Sequence, residues 1–317
     1  MLDISFIREN KTLVETSMKN KGEKETGIVS EVLKKDEEWR TLVHKVDTLR
    51  SESNKAAKEI GALMAGGKRG EAQKIIDQTS QAKEQIKELE ETLKSVANER
   101  TDLLLRIPNV AHPSVPVGAT EEDNHVHATW GTPSTDSWRK AHWELLERHG
   151  WIDFERGVKV TGAGFPFYIG PLAQLQRALI SFFINEAHSS GYTEIQAPFF
   201  INEDSARGTG QIPDKEDMMY VIPRDGFFAI PTAEVPVTNF HRDEIIPEEQ
   251  LPIQYVCHTP CWRREAGSYG KDVRGLNRLH QFDKVELVHF VKPEDSYDCL
   301  EQLREHVEQL LQKLNLP

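Results

Sequence analysis

Apolar residues recur every seven positions through much of the first third of the chain. This spacing predicts two long helices that pack along a coiled-coil seam, one from about Ile28 to Met64 and a second that ends near Ile107. The glycine-rich interruption at residues 65–70 predicts a turn, so the helices should run antiparallel. The predicted seam positions are Val32, Trp39, Val46, Ser53 and Ile60 with Leu42, Leu49, Ala56 and Leu63 on the first helix, and Ile75, Ala82, Leu89, Val96 and Leu103 with Ile86 and Leu93 on the second.

A shorter amphipathic segment precedes these helices. Residues 1–20 place Ile4, Ile7, Leu13 and Met18 on one helical face, which we expect to pack at the base of the long pair. The long helix predicted from Ile28 to Met64 would measure about 55 Å at ~1.5 Å per residue. The two-helix arm (residues 28–106) is therefore too long to be wrapped into a compact domain. Seams this long also occur in dimerising coiled coils, and that alternative stays open on the pattern alone.

The remaining pattern changes from one long period to short elements. A stretch that contains several prolines and has no sustained apolar period is typical of a linker. Short strands and helices are predicted after this linker. Two apolar runs on either side of residues 223–226 predict a β-hairpin. The predicted elements are a linker at 108–133, a short helix near His142, a strand over 151–160, a helix over Pro171–Ser189 and an amphipathic helix over Pro293–Leu314.

A second and longer hairpin is predicted between residues 253 and 288, with a glycine-rich loop between its strands. The hairpin and its loop carry cations interleaved with carboxylates, an arrangement suited to holding a polyphosphate over a sheet. The same charge is also typical of a solvated face. The charged residues are Arg263, Arg264, Lys271, Arg274, Arg278 and Lys284, with Glu265, Asp283 and Glu286.

These elements predict an α+β fold. A long antiparallel two-helix coiled-coil arm comes first, and an antiparallel sheet domain with flanking helices follows it. We expect the boundaries to be residues 1–107 for the helical part, 108–133 for the linker and 134–317 for the sheet domain.

Composition restricts the function classes. The formal net charge of -12 over 317 residues argues against a general nucleic-acid binder, because phosphate binding needs local cations. Residues 40–87, however, contain ten Lys or Arg against six Asp or Glu, so an RNA contact is expected at the outer arm. No apolar run is long enough for a membrane span or a signal peptide, which predicts a cytoplasmic protein. Cys257 and Cys261 lack the second ligand pair of a structural zinc site, so no metal site is expected in this chain.

The order of residues in the long hairpin is more specific than its charge. Arg263-x-Glu265, the glycine-rich loop and Arg278-x-HQFDKVE closely resemble the second signature motif of class II aminoacyl-tRNA synthetases, in the form carried by seryl-tRNA synthetases. The resemblance extends over nearly the whole chain. GYTEIQAPFF, with its proline at Pro198, resembles the first class II motif, which forms the dimer interface in that family. A homodimer with a class II catalytic core at 134–317 is therefore implied.

The resemblance also implies roles for individual residues. Arg263 would be the catalytic cation, contacting both the α-phosphate of ATP and the carboxylate of serine. The serine-binding residues would be Thr232, Ala233, Glu234, Arg263 and Glu286, although Thr232 also suits a helix N-cap. The ATP-binding residues would be Arg263, Arg264, Glu265, Arg278 and Phe282, and Trp262, Arg264 and Asn277 depart from the residues usual in the family.

A two-step reaction follows from the resemblance. Serine would be activated by ATP, with Mg²⁺ on the phosphates, and then transferred to the 3′ end of tRNA(Ser), and of tRNA(Sec) as well. The arm would contact the tRNA through exposed cations of its outer part, with no membrane partner. The candidate tRNA-binding residues are Lys55, Lys58, Lys68, Arg69 and Lys83.

Two alternatives remain open at this point. One is a catalytically silent tRNA-binding relative, and the other is a paralogue that loads an amino acid onto a carrier protein, although such paralogues generally lack the arm. The third class II motif and the acidic segment that holds magnesium would follow Pro317. We therefore expect a polypeptide of residues 1–317 to form its arm but to lack serine-dependent pyrophosphate exchange.

Overall fold

The computed structural model describes residues 1–214, 217–266 and 275–317. Two of the predicted loop cations, Lys271 and Arg274, lie outside these residues. The described chain forms two compact units, Met1–His127 and Ala128–Pro317, which divide within the segment predicted as a linker. None of the helices in the described ranges is long and apolar enough to cross a membrane.

The first unit is helical. Two short helices precede two long antiparallel ones, and a three-residue turn at 66–68 joins the long pair where the glycine-rich interruption predicted it. The helices are α1 (Ile4–Glu9), α2 (Lys11–Asn20), α3 (Ile28–Ala65) and α4 (Arg69–Leu105).

The predicted seam between α3 and α4 is confirmed. Every predicted seam position is buried or partly buried, and Val32, Val46 and Val96 are at most 4% exposed. The single helix predicted over residues 1–20 is instead two helices, because the chain leaves helical geometry at Asn10. Leu13, expected on the packed face, is 48% exposed.

The base of the arm has its own core. Short helices α1 and α2 contribute Ile7, Val14 and Met18, which pack with Val29 and Val32 of α3. This confirms that the first residues pack at the base of the long pair. Burial of each of these side chains favours folding by roughly 1.5–3 kcal/mol.

A buried carboxylate lies beside this core. Asp36 is 1% exposed, and its two oxygens accept hydrogen bonds from Arg40 Nε at 3.0 Å and Arg100 Nη1 at 2.9 Å. Arg8 Nε lies 3.7 Å away, and the Arg100 guanidinium also stacks over the Trp39 ring at 4.1 Å. One carboxylate therefore ties α1, α3 and α4 together.

The second unit combines small sheets with helices. Its helices are α5 (His142–Arg148), α6 (Phe154–Val160), α7 (Pro171–Ser189), α8 (Glu203–Gly208), α9 (Glu234–Thr238) and α10 (Ser296–Lys313). Its strands are β1 (Ile152–Asp153), β2 (Phe167–Tyr168), β3 (Thr193–Glu194), β4 (Phe200–Ile201), β5 (Val221–Ile222), β6 (Phe227–Ala229), β7 (Ile253–Trp262) and β8 (Gln281–Phe290).

The described part of this unit contains three separate sheets. The largest has the order β3-β7-β8, in which β7 and β8 are antiparallel and β3 runs parallel to β7. A second sheet, β4-β6-β5, contains the hairpin predicted around residues 223–226, and β1 pairs with β2. The predicted helix over Pro171–Ser189 is confirmed as α7.

The strand predicted over 151–160 is wrong. Only Ile152 and Asp153 are extended, and the chain then enters α6. The Asp153 carboxylate accepts a hydrogen bond from Arg156 N at 2.7 Å, so it satisfies a backbone donor of the first helical turn. This cap favours a helix where the apolar residues alone predicted a strand.

We expect Asp36→Ala to lower the free energy of unfolding of the helical unit by about 2–3 kcal/mol. The substitution removes two charge-assisted hydrogen bonds and leaves the partly buried Arg100 without this acceptor. Urea unfolding followed by circular dichroism measures the change. Asp47→Ala is the control, because Asp47 is exposed on the same helix and should cost less than about 0.5 kcal/mol. Equal losses in both variants would contradict the role of Asp36.

Candidate active site

Strands β7 and β8 place alternate side chains on one face of the sheet. On this face the β7 side chains are almost fully buried, whereas the β8 side chains stay partly exposed and accessible to a ligand. The pairs across the two strands are Cys257 opposite Glu286, Thr259 opposite Lys284 and Cys261 opposite Phe282.

Three polar side chains meet on this face. Thr232 Oγ1 donates a hydrogen bond to Glu286 Oε2 at 2.9 Å and accepts one from Lys284 Nζ at 3.0 Å. The same lysine nitrogen lies 2.5 Å from Glu286 Oε2. Thr232 itself is 4% exposed. The fold thus brings together two of the predicted serine-binding residues and adds Lys284, which the sequence indicated only as one of the cations suited to a polyphosphate.

The other two residues of the Thr-Ala-Glu triplet lie differently. Helix α9 begins at Glu234 with Ala233 as its N-cap, so the N-cap predicted at Thr232 is displaced by one residue. Glu234 N nevertheless donates to Thr232 Oγ1 at 3.2 Å. Ala233 is buried, while the Glu234 residue is exposed and contributes its backbone N–H to the cluster. One hydroxyl therefore serves both the start of α9 and the contact with Glu286.

Arg263 directly follows β7 and lies beside this cluster. Its Nε donates to the carbonyl oxygen of Pro231 at 3.2 Å, and its guanidinium carbon lies 5.2 Å from the centre of the Phe282 ring. Its backbone N–H donates to the carbonyl of His280 at 3.0 Å, which extends the strand pairing by one step. The Nη edge of the guanidinium is the edge with which arginine binds carboxylates and phosphates bidentately.

The remaining predicted ATP-binding residues are engaged in ion pairs. Arg278 Nη1 lies 3.0 Å from Glu265 Oε2, and Arg264 forms an ion pair with Asp217. Glu265 adopts a left-handed backbone conformation with φ of 49°, which costs of order 1 kcal/mol or more for a non-glycine residue. The strained turn directs the glutamate back towards Arg278, so the two predicted residues sit together where the chain leaves the strands.

His142, to which the sequence assigned a helix but no role in the site, anchors the chain where it returns to β8. Leu276 N donates to His142 Nε2 at 2.8 Å. Gly275 adopts a φ of 76°, and a Cβ there would lie 2.4 Å from the same imidazole nitrogen. A glycine is therefore required for His142 to reach this backbone.

Other contacts in this region were also missed. His280 Nδ1 is 2.8 Å from Tyr220 Oη, and the imidazole stacks on the Phe165 ring at 5.3 Å between centres. No periodicity or motif marks Tyr220 or Phe165. Lys284 does carry a signal, because it lies between Phe282 and Glu286 at a spacing of two, which places all three on one face of a strand.

The buried cysteines beneath the site are free thiols. Burial raises the pKa of both Cys257 and Cys261 above its ordinary value, so both stay protonated at neutral pH. Within residues 1–214, 217–266 and 275–317, no group of three or more His, Cys, Asp or Glu side chains is placed to hold a metal ion. The thiols therefore belong to the core of the sheet.

In the first unit, the predicted tRNA-binding cations all lie on the surface. Lys68 Nζ is 3.5 Å from a carboxylate oxygen of Glu71, a distance at which an exposed pair contributes little free energy. The exposed cations are Lys55, Lys58, Lys68, Arg69 and Lys83.

Known families match both units. Residues 1–111 match the seryl-tRNA synthetase N-terminal domain, and residues 221–317 match the tRNA synthetase class II core domain (G, H, P, S and T). A serine–tRNA ligase of Salinibacter ruber is 52% identical over 318 residues, covering 100% of this chain and 74% of that protein. A serine–tRNA ligase of Staphylococcus saprophyticus is 43% identical, with the same coverage of both chains.

Solved structures agree with the sequence matches. The crystal structure of seryl-tRNA synthetase from Pyrococcus horikoshii complexed with ATP has a TM-score of 0.87 and 34% identity, covering 99% of this chain and 75% of that one. The cytoplasmic serine–tRNA ligase of Naegleria fowleri in complex with AMP has a TM-score of 0.80 and 28% identity, covering 98% of this chain and 72% of that one. The sequence and structural comparisons thus identify this chain as a member of the seryl-tRNA synthetase family.

Proposed function

We propose that this protein activates serine with ATP and transfers it to the 3′ end of tRNA(Ser), and to tRNA(Sec) as well. The observation that carries the proposal is the Thr232–Glu286 hydrogen bond beside Arg263 on one face of the sheet. A carboxylate suited to an ammonium and a hydroxyl thus lies next to a guanidinium suited to a carboxylate and a phosphate. Serine activation requires these two recognition elements side by side.

The first step needs no protein nucleophile. A carboxylate oxygen of serine attacks the α-phosphorus of ATP, the bond to the bridging oxygen breaks, and pyrophosphate leaves with that oxygen. Negative charge develops on the phosphate oxygens, where a fixed cation lowers the barrier. We assign this part to Arg263, whose Nε bond to Pro231 and contact with Phe282 hold the guanidinium in place.

In the second step the terminal ribose hydroxyl of the tRNA attacks the acyl carbonyl. The ester to the tRNA forms, and AMP leaves with the oxygen that joined it to the acyl group. The residues that face the adenylate have mainly a positioning role, which accounts for much of the rate in reactions of this kind.

We assign the adenine to Phe282 and Glu265, and the outer phosphates to Arg278 and Arg264. Phe282 is partly exposed next to Arg263, so its ring is available for stacking. Glu265, Arg278 and Arg264 are paired with carboxylates or cations of the chain itself. ATP would therefore exchange partners with these pairs. The Arg264–Asp217 pair is exposed, so its free energy is small, whereas the Glu265 side chain that pairs with Arg278 is only 14% exposed.

Selection of serine follows from unmet hydrogen bonds. Alanine would leave the partly buried acceptor at Glu286 without the hydroxyl that it needs, and such a loss discriminates against alanine. Threonine carries the hydroxyl, so it has to be excluded by shape instead. Thr232 and Ala233 are buried, so the packing around them leaves little room for the additional methyl group of threonine.

Mg²⁺ enters the proposal as the companion of the ATP phosphates. This ion usually keeps several waters and binds through phosphates and one or two carboxylates. The described ranges contain no cluster of three or more candidate ligands, so they do not provide a protein cage for it. No step of the proposed reaction runs through an ion held by these residues.

We also propose a homodimer that works in the cytoplasm. Phe200 of β4, the last residue of the segment that resembles the first class II motif, is 50% exposed, and Leu175 of the preceding α7 is 54% exposed. Large exposed apolar side chains favour an interface with a second copy. Three free cysteines fit a reducing compartment. Light scattering of the intact gene product tests the dimer, which a monomeric mass would exclude.

We expect Glu286→Ala to reduce serine-dependent ATP–pyrophosphate exchange by more than about 100-fold, because the serine ammonium and hydroxyl lose their acceptor. The fold should stay intact, and circular dichroism should match the parent at the assay temperature, although loss of the acceptor for Thr232 and Lys284 should lower the thermal transition. Glu249→Ala, at an exposed position of the same unit, is the matched control and should keep the parental rate. Exchange by Glu286→Ala at the parental rate would refute its assignment.

We expect replacement of Lys55, Lys58, Lys68 and Lys83 by Gln to weaken tRNA binding without affecting serine activation. Each phosphate contact that is lost should reduce the slope of log K against log salt by about one unit. Binding titrations at several salt concentrations measure this slope.

The control for this experiment is a set of exposed lysines in the second unit, Lys140, Lys159 and Lys313. Their replacement by Gln changes the net charge but not the arm, so the salt slope should stay within about half a unit of the parent. An unchanged slope in the arm variant would place the RNA contact elsewhere.

A further inference from the structure

Lys284 is not among the residues to which the proposed reaction gives a role, yet it touches both Thr232 and Glu286. We propose that Lys284 is a positioning residue for serine recognition: with Glu234 N it fixes the Thr232 hydroxyl as a donor to Glu286, which leaves Glu286 Oε1 to accept from serine. This inference rests on the proposed function and makes it more specific.

The bonding capacity of the Thr232 hydroxyl limits which partner it can donate to. A threonine oxygen has one hydrogen to donate and two lone pairs that accept. Lys284 Nζ lies 3.0 Å and Glu234 N lies 3.2 Å from Thr232 Oγ1. An ammonium and a backbone N–H can only donate, so these two partners occupy both lone pairs. The hydroxyl hydrogen is therefore left for Glu286 Oε2, at 2.9 Å.

Burial makes this direction persistent. Thr232 is 4% exposed and the Glu286 side chain is 18% exposed, so water does not readily replace either partner. Hydrogen bonds in such surroundings polarise one another, and a group left unpaired there costs free energy. Without Lys284, the hydroxyl would have a free lone pair and a choice of orientations.

A consequence follows for the carboxylate. The contacts that Glu286 receives from Thr232 and Lys284 both end on Oε2. These contacts hold Oε2 in place and, among the residues that the structure describes, leave Oε1 for the substrate. Because the lone pairs of Thr232 are already used, the threonine cannot accept from the hydroxyl of serine. Thr232 therefore acts through Glu286, and Glu286 Oε1 is the acceptor for the substrate.

The ammonium of Lys284 could affect serine binding in two ways, and these change the KM for serine in opposite directions. If it mainly competed with the ammonium of serine for Glu286, its removal would tighten serine binding. If it mainly orients Thr232 and Glu286, its removal weakens binding and weakens the distinction between serine and alanine. Because Lys284 donates a hydrogen bond to Thr232, we infer that its main effect is to orient Thr232 and Glu286. The direction of the change in the KM for serine distinguishes this effect from competition for Glu286.

The test is pyrophosphate exchange by the intact gene product carrying Lys284→Met, which keeps the stem but removes the ammonium. We expect the KM for serine to rise at least about 10-fold and the ratio of kcat/KM for serine over alanine to fall. The KM for ATP should stay within about twofold of the parent, because the ATP contacts are not involved. Lys292→Met is the matched control, since Lys292 pairs with Glu248 after the end of β8.

A double-mutant cycle separates positioning from a general structural effect. Thr232→Val removes the hydroxyl at nearly constant shape, and Thr232→Ser keeps it. If Lys284 acts through Thr232, the effects of Lys284→Met and Thr232→Val on serine kcat/KM are strongly non-additive. Thr232→Ser should then retain most of the parental selectivity.

The outcomes are distinct. An unchanged or lower KM for serine in Lys284→Met, or additive effects in the cycle, would overturn the positioning role while leaving the proposed function intact. Absence of serine-dependent exchange in the parent protein would instead refute the proposed function itself. A rise in the KM for ATP equal to that for serine would place Lys284 on the nucleotide and also overturn the proposal.

Discussion

The register between β7 and β8 is the constraint on which the site depends. It places Phe282, Lys284 and Glu286 on one face, and a slip of one residue would turn all three away. The opposite face holds the register too, because Asp283 accepts a hydrogen bond from His258 Nε2 at 2.7 Å. A ligand site built on alternate residues of a strand is accurate only if the strand cannot slide. Contacts on both faces meet that requirement here.

The sequence predicted the elements whose hydrophobic period is long. A seven-residue repeat sustained over many turns has few alternative explanations, and both arm helices formed where it placed them. The strand predicted over 151–160 failed because a single carboxylate, Asp153, caps a helix that the apolar pattern does not reveal. The burial of Asp36 was missed for a related reason, since the seam pattern identifies apolar positions and not a carboxylate held by three arginines.

Part of the candidate site was also predictable. The resemblance of the long hairpin indicated Arg263 and Glu286, that of the Thr-Ala-Glu triplet indicated Thr232, and the structure places these residues close together. The contact of Lys284 could not be predicted, because it depends on which donor reaches which oxygen after α9 packs against β8. The pairing of Glu265 with Arg278 likewise depends on a left-handed turn at a glutamate, which no propensity favours.

Ion pairs of unequal burial divide the site into an exchangeable part and a fixed part. Arg264 and Asp217 are 43% and 63% exposed, and the median surface pair contributes only about 0–1 kcal/mol. A triphosphate can displace such a carboxylate at little cost in free energy, because it carries more negative charge with which to bind the same arginine. The Lys284–Glu286 pair is less exposed and shares a buried hydroxyl with Thr232, so breaking it would leave several groups without partners. If ATP binds as we propose, it can therefore displace the exposed Arg264–Asp217 pair while the cluster of Thr232, Lys284 and Glu286 proposed for serine keeps its geometry.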